Sequence, residues 1–257
     1  EDRECHKMKE KKHWNEIAGR YNEEIFDVFK NDRQKRLPFY FDKHSGPKKT
    51  AVDLGCGNGK AFEYLSPRFG GVVGFDISQK LLDQAKKLPF SNTVLRCEDL
   101  TNEEVPLPKA DFVFSCNVVM FPKIEMNYAM LRNIHRTLKP TGSAVLVLPA
   151  LESVLFSSWR LISVYASEGV ASNDIPADEF DYFKAAKRDI VQGIIHIDNV
   201  PTKHYLEPEI EVVFRNAGLK VTALEKLEYK WDTEIDAPPD WLGKPYPWDW
   251  LVECKRK

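Results

Sequence analysis

The sequence predicts an α/β fold, a mostly parallel sheet with crossover helices on its faces. Three observations predict it. Over residues 50–150, strand-like apolar runs alternate with helix-like stretches five times. The first run, Ala51-Val52, leads into Asp53-x-Gly55-x-Gly57-x-Gly59, a glycine-rich turn. The second, within Gly71–Ser78, ends on an acid, Asp76, 17 residues after Gly59.

Taken in order, residues 5–45 read as helical. Trp14, Ile17, Ala18, Tyr21, Ile25, Val28 and Phe29 recur at three- and four-residue spacing and make one apolar face. Ser45-Gly46-Pro47 breaks the chain before the core. After the glycine turn, Lys60 to Arg68 reads as a helix. Ser78 is placed to cap a helix over Gln79–Lys87, which Pro89 ends, with Asp83 and Lys87 an i,i+4 charge pair. A third strand is predicted at Thr93–Cys97, running into Glu98-Asp99-Leu100, and a fourth at Ala110–Cys116, running into Asn117. Leu131–Gly142 reads as a helix and turn before a fifth strand, Ser143–Leu148. Residues 151–204 break the alternation. Regular structure resumes with a helix, Glu209–Asn216, opened by Glu207-Pro208 and ended by Gly218. Strand-like runs follow at 219–224, 228–231 and 250–254, the last two flanking a loop rich in Trp, Pro and acids.

The glycine turn selects its ligand by what precedes it. Glycines let backbone approach a ligand closely, because no Cβ intervenes. A carboxylate at the mouth repels phosphate and favours an ammonium or a sulfonium. The spacing agrees: G-x-G-x-G is one residue short of the dinucleotide fingerprint, and Lys60 is followed by Ala61 where a phosphate loop needs Ser or Thr. An acid at the tip of the second strand accepts from ribose hydroxyls. Asp99 is placed to accept from an exocyclic adenine amine. In parallel sheets ligands bind outside the carboxyl ends of the strands. Asp53, Asp76, Asp99 and Asn117 all fall at such ends and can converge.

Asp53-x-Gly55-x-Gly57-x-Gly59, then Asp76, Asp99 and the Ser115–Asn117 strand end, resembles the class I S-adenosylmethionine-dependent methyltransferases of the methyltransferase-domain family. The resemblance covers residues 48–150 well and 205–257 more loosely. It implies a Rossmann-like, doubly wound, mostly parallel seven-stranded sheet, with the last two strands antiparallel and the final one beside strand five. It divides the chain into an N-terminal helical extension (1–46), a core (47–150 and 205–257) and a substrate-lid insertion after strand five (151–204), for which a dimer contact is the competing reading. It implies S-adenosyl-L-methionine as cofactor, S-adenosyl-L-homocysteine as product and no metal. Asp53 and the backbone of Gly55, Cys56, Gly57 and Gly59 would hold the methionine end. Asp76 would bind the ribose, with Ile77 and Ser78 beside it and Ile77 packing on adenine. Asp99 and the Leu100 N–H would read the adenine ring, Asn117 would close over the methionine part, and Tyr21 would close over the cofactor.

The acceptor is less legible. After strand four the chain reads Ser-Cys-Asn-Val, not the Asn/Asp-Pro-Pro-aromatic motif used on planar amines, and there is no Pro-Cys pair for attack on pyrimidines. Net charge is -2 over 257 residues, which argues against a nucleic-acid partner. The expected acceptor is the N or O of a small metabolite, with a preference for amine or imidazole nitrogen from the aromatic and acidic residues of the lid and of 231–250. His196, His204 and Tyr205, where the lid returns to the core, are the candidate bases. A tRNA or protein methyltransferase and a non-catalytic cofactor-binding protein are the alternatives. The five cysteines (Cys5, Cys56, Cys97, Cys116, Cys254) form no CxxC pair, and no apolar stretch is long enough for a membrane span. A reduced, cytoplasmic setting and a monomer or homodimer are expected.

Overall fold

In the computed structural model the backbone is described for residues 2–183 and 187–257; the side chains of residues 1–7, 24, 182 and 184–188, Cys5 and Tyr182 among them, lie outside the described residues. The chain runs α1 (Asp2–Ile17), α2 (Tyr21–Glu24), α3 (Val28–Asn31), α4 (Arg36–His44), β1 (Gly46–Leu54), α5 (Phe62–Leu65), β2 (Phe69–Asp76), α6 (Gln79–Ala85), β3 (Thr93–Cys97), β4 (Ala110–Cys116), α7 (Ile124–Thr137), β5 (Leu138–Pro149), α8 (Leu151–Ser167), α9 (Lys187–Val191), β6 (Ile194–Ile197), β7 (Val200–Lys203), α10 (Glu207–Asn216), β8 (Leu219–Glu228) and β9 (Trp248–Arg256).

Seven strands form one sheet in the order β3-β2-β1-β4-β5-β9-β8. β9 pairs antiparallel with both β5 and β8, and the remaining pairs are parallel. The winding reverses between β1 and β4, so the crevice for a ligand opens where those two strands end. Strand alternation sends successive side chains into two cores. Val52, Leu54, Val113 and Leu146 pack with α7 and α10 on one face; Ala51, Phe112, Phe114 and Val145 pack with α4, α5 and α6 on the other. Phe41 meets Phe112 and Phe114 at centroid distances of 6.0 and 5.0 Å, and Phe29 meets Phe114 at 5.9 Å. These rings tie the helical N-terminal segment to β4 and so bring Tyr21 over the sheet's carboxyl edge.

β3 and β4 fall on the predicted residues, and Ser78 caps α6, its Oγ accepting from the Leu81 N–H at 3.3 Å. Three expectations are corrected. The helix predicted over 60–68 is a single turn, Phe62–Leu65, because Pro67 has no N–H to extend it. In place of the runs predicted at 219–224 and 228–231 there is one longer strand, β8, that ends at Glu228 and carries a register shift between Val221 and Ala223, and Trp231 opens a 3-10 turn after it. As an edge strand it tolerates charge: Glu225 bonds Arg36 and Tyr40. Gln79 rather than Lys87 is the side chain on Asp83, at 2.9 Å.

Residues 151–204 hold α8, two short 3-10 stretches, α9 and the β6–β7 hairpin. Among the described residues, no helix is long and apolar enough to cross a membrane, and Cys56, Cys97, Cys116 and Cys254 are free thiols.

Candidate cofactor and acceptor site

The cradle is built around two carboxylates. Asp53 ends β1 and is 2% exposed; Asp76 ends β2 and is 8% exposed. The Gly57 N–H donates to Asp76 Oδ2 at 2.8 Å, and the Ser78 N–H donates to Oδ1 at 2.8 Å. An amide that a phosphate loop would present to its ligand is here spent on orienting an acid. Gly55 and Gly57 both have positive φ, 83° and 54°. A Cβ on Gly55 would lie 2.2 Å from Val118 Cγ2, and one on Gly57 would lie 2.5 Å from the Tyr21 hydroxyl. The turn therefore needs glycine for conformation and for space, and Tyr21 lies directly over it.

No cationic side chain pairs with Asp53 or Asp76 among the described residues. Burial, then the Asp76 charge, pushes the Asp53 carboxyl up to about 8, and burial also raises Asp76. The Tyr21 hydroxyl is held far above its ordinary range by burial first and then by Asp76, Cys116, Cys56 and Asp53. A cationic ligand would relieve this stack of like charges, whereas an anionic one would worsen it. Asp99 Oδ1 accepts from the Thr101 N–H and hydroxyl at 2.9 and 2.7 Å, leaving Oδ2 without a partner among the described residues.

Further acids lie along the same sheet edge past β4. Asn117 takes a left-handed conformation (φ 52°) that asparagine tolerates and that aims its side chain across the sheet edge. Its Nδ2 lies 3.5 Å from Asp249 Oδ2, and its Oδ1 has no partner. Asp249, the second residue of β9, lies opposite Pro149 and so on the same edge as the ends of β1, β2 and β4. The Tyr229 hydroxyl donates to Asp249 Oδ2 at 2.7 Å, and the Tyr229 ring packs edge-on against Phe26 at 4.9 Å. Burial raises Asp249 to about 6 against the lowering effect of Tyr229 and Asn117. Glu234 is exposed in the loop that follows β8, its Oε1 accepts from the Thr233 hydroxyl at 3.3 Å, and loss of solvent, then Asp249, raises it. Cys116 feels both Asp249 and Asp53, which joins the two halves.

The predicted base candidates lie elsewhere. His204 is 5% exposed, its Nδ1 sits 3.1 Å from the Thr202 carbonyl, and burial lowers it to about 4. Tyr205 is 1% exposed within the α7–α10 core; its backbone forms a bridge to Ala150 and accepts from the Trp250 indole at 3.0 Å. His196 is half-buried on β6 opposite Pro201. The structure thus brings together Tyr21, Asp53, the glycine turn, Asp76 and Asn117, and it seats His204 and Tyr205 in packed interior. Asp249, Tyr229 and Glu234 were not singled out in the sequence, although Asp249 and Glu234 lie in the acidic, Trp-rich stretch 231–250.

Residues 52–146 match the methyltransferase-domain family. A relative named as a methyltransferase, 235L of Invertebrate iridescent virus 6, is 30% identical over 166 residues, 60% of this chain and 59% of that protein. The chain thus spans about three-fifths of that relative's length. Among solved structures, an S-adenosylmethionine-dependent methyltransferase from Anabaena variabilis superposes with TM-score 0.61 at 15% identity, covering 96% of this chain and 93% of its own. The magnesium protoporphyrin IX methyltransferase of Synechocystis with bound S-adenosylmethionine superposes at 0.59 with 15% identity, covering 98% and 97%. At these identities the likeness to the solved structures shows the fold alone, and the family match covers residues 52–146.

Proposed function

We propose that this protein transfers a methyl group from S-adenosylmethionine to a nitrogen of a small acceptor. The observation that carries the reading is the buried pair Asp53 and Asp76 beneath the glycine turn, unpaired by any cation among the described residues, with Asp76 oriented by two loop amides. Such a pair fits a ligand with an ammonium at one end and a ribose diol at the other. Bound there, S-adenosylmethionine supplies a methyl group on a positively charged sulfur. Asp53 and the Gly55–Gly59 backbone hold the amino-acid end, Asp76 accepts from the ribose hydroxyls, Ile77 packs on the adenine, Asp99 and Leu100 read its edge, and Tyr21 covers the turn.

The acceptor side rests on Asp249. A protonated amine is not a nucleophile and must lose a proton first. Asp249, fixed by Tyr229 and Asn117, accepts that proton from the ammonium, leaving the neutral amine with its lone pair free. Glu234 lies next along the cleft with an open face and passes the proton to water. General-base assistance of this kind contributes roughly 10²–10⁴-fold. Alignment of the reacting atoms at about 3–3.5 Å supplies much of the remainder. The proton-accepting role therefore goes to Asp249 rather than to His196, His204 or Tyr205.

The direct test is methyl transfer from labelled S-adenosylmethionine into a panel of small amines, hydroxy compounds, bulk tRNA and unfolded protein. The expected result is label in an amine alone. Label in tRNA or protein overturns the small-acceptor reading, and cofactor binding with no transfer to any of them favours a binding protein.

The acid pair also sets a pH dependence. With the free Asp53 carboxyl near 8, the group is largely protonated at pH 6, and an ammonium binds only its anion. Binding therefore releases a proton, and affinity for S-adenosylmethionine rises about tenfold per pH unit from 6 towards 8. Above about 8 the ligand's own α-amino group loses its charge and affinity falls again. Calorimetry across pH 6–9 checks this. Asp53→Asn removes the acid limb and weakens binding throughout.

A further inference from the structure

S-adenosylmethionine carries a carboxylate beside its ammonium, and Asp53 and Asp76 serve only the ammonium and the ribose. A site lined by acids repels that carboxylate, so it needs donors of its own. The glycine turn has few to give. The Gly55 and Cys56 N–H groups both donate to the Phe75 carbonyl at 2.8 Å, and the Gly59 N–H donates to the Cys56 carbonyl at 2.9 Å. The Gly57 N–H is spent on Asp76. With these four amides committed, the carboxylate calls for a side-chain donor.

Lys60 meets that need by position and by charge. It follows Gly59 directly, as the chain leaves the turn. Its Nζ lies 5.8 Å from the Tyr21 ring, and the Tyr21 hydroxyl stands over Gly57. Nζ also lies 3.1 Å from Asp27 Oδ2, with the two side chains 23% and 34% exposed. Partial burial fixes the ammonium and weakens its screening by salt. An ammonium has three hydrogens to donate. Asp27 takes one, and it is the one carboxylate Lys60 meets among the described residues. Asp27 is itself engaged elsewhere, its Oδ1 accepting from the Lys30 N–H at 3.1 Å. The Lys60 charge also reaches into the site. The Cys116 thiol, at the end of β4, is raised by burial and then by Asp249, Asp53 and Asp27, and Lys60 opposes them. That one sulfur stands within the fields of both Asp53 and Lys60.

We propose that Lys60 binds the methionine carboxylate of S-adenosylmethionine beside the Tyr21 hydroxyl, while Asp53 takes the ammonium. This rests on the S-adenosylmethionine reading above and deepens it. Asp27 holds the Lys60 ammonium in place in the free protein, and the two remaining hydrogens are offered to the ligand. The amino-acid end of the cofactor is thereby read by both of its charges. The cradle then distinguishes the intact methyl donor from an adenosyl sulfonium that has lost its carboxylate, a distinction that Asp53 and Asp76 alone cannot make.

The test is calorimetric binding of S-adenosylmethionine and of decarboxylated S-adenosylmethionine, which differ only in the carboxylate. The wild type should bind the carboxylated ligand at least about tenfold tighter. Lys60→Gln should weaken S-adenosylmethionine by about tenfold or more and leave the decarboxylated ligand within about twofold, so that the preference disappears. Lys60→Arg keeps the charge and should retain part of the preference. Asp27→Asn separates ligand binding from a merely structural ion pair: it breaks the pair but leaves the Lys60 charge, and the preference should survive. Equal binding of the two ligands by the wild type, or a Lys60→Gln protein that keeps the preference or loses both ligands alike, overturns the proposal, as does loss of the preference in Asp27→Asn. Failure of the wild type to bind either ligand instead overturns the cofactor reading on which it rests.

Discussion

Asp76→Ala is expected to weaken S-adenosylmethionine binding by about 100-fold or more while the protein stays folded. Two charge-assisted hydrogen bonds to a ribose diol are lost together, each worth about 1.5–3 kcal/mol. The two amides that orient the carboxylate, Gly57 N–H and Ser78 N–H, are left facing the site without an acceptor. The loss of the amides' acceptor is opposed by relief of a carboxylate that burial disfavours, so the fold is expected to survive the substitution. The expected signature is therefore lost affinity by calorimetry in a protein that still unfolds cooperatively. Unchanged affinity would remove Asp76 from the cofactor site.

Asp249→Asn is expected to do the opposite: to keep cofactor affinity and lose turnover. Asparagine retains the shape and can still meet Tyr229 and Asn117, but it cannot accept a proton. Turnover of the amine acceptor should fall about 10²–10⁴-fold, with the Kd for S-adenosylmethionine within about twofold of wild type. The pH profile adds a second readout. The wild-type base works as its anion, so kcat/KM should fall as pH drops through about 6, where Asp249 takes up a proton in the free protein. In Asp249→Asn that limb should vanish. A variant with wild-type kcat and the same acid limb would return the base role to another residue.

The contrast between these two acids explains how far the site was legible in the sequence. Asp53, Asp76 and the glycines lie within two adjacent strand ends, and the parallel alternation places consecutive strand ends on one edge. Local spacing therefore carried them. Asp249 reaches the same edge by a different route. It is the second residue of an antiparallel strand inserted beside β5, and the residue it meets, Asn117, is 132 positions away. Nothing local at 249 marks that pairing; only the sheet order does. Tyr229 and Glu234 depend in turn on where β9 puts Asp249.

His204 and Tyr205 show the converse, lying buried where chain position alone suggested the sheet edge. Their position, where the insertion returns to the core, pointed to the cleft. The backbone hydrogen bonds from Tyr205 to Pro149 and from Leu151 to Tyr205 instead stitch this segment to the end of β5, which draws the side chains inside. Chain position located the segment, but the backbone pairing decided which way it faced. The helix after the cradle was overextended for a simpler reason: its apolar spacing persists past Pro67, but its hydrogen-bond ladder does not.

The measurement that bears most directly on the whole account is a calorimetric titration of the wild-type protein with S-adenosylhomocysteine at pH 7 and pH 8, repeated with a nicotinamide dinucleotide. The predicted result is saturable 1:1 binding of S-adenosylhomocysteine that tightens at the higher pH with release of a proton, and no heat from the dinucleotide. Absence of S-adenosylhomocysteine binding, or preference for the phosphate-bearing ligand, would contradict a cradle built around Asp53 and Asp76 for a cationic methyl donor.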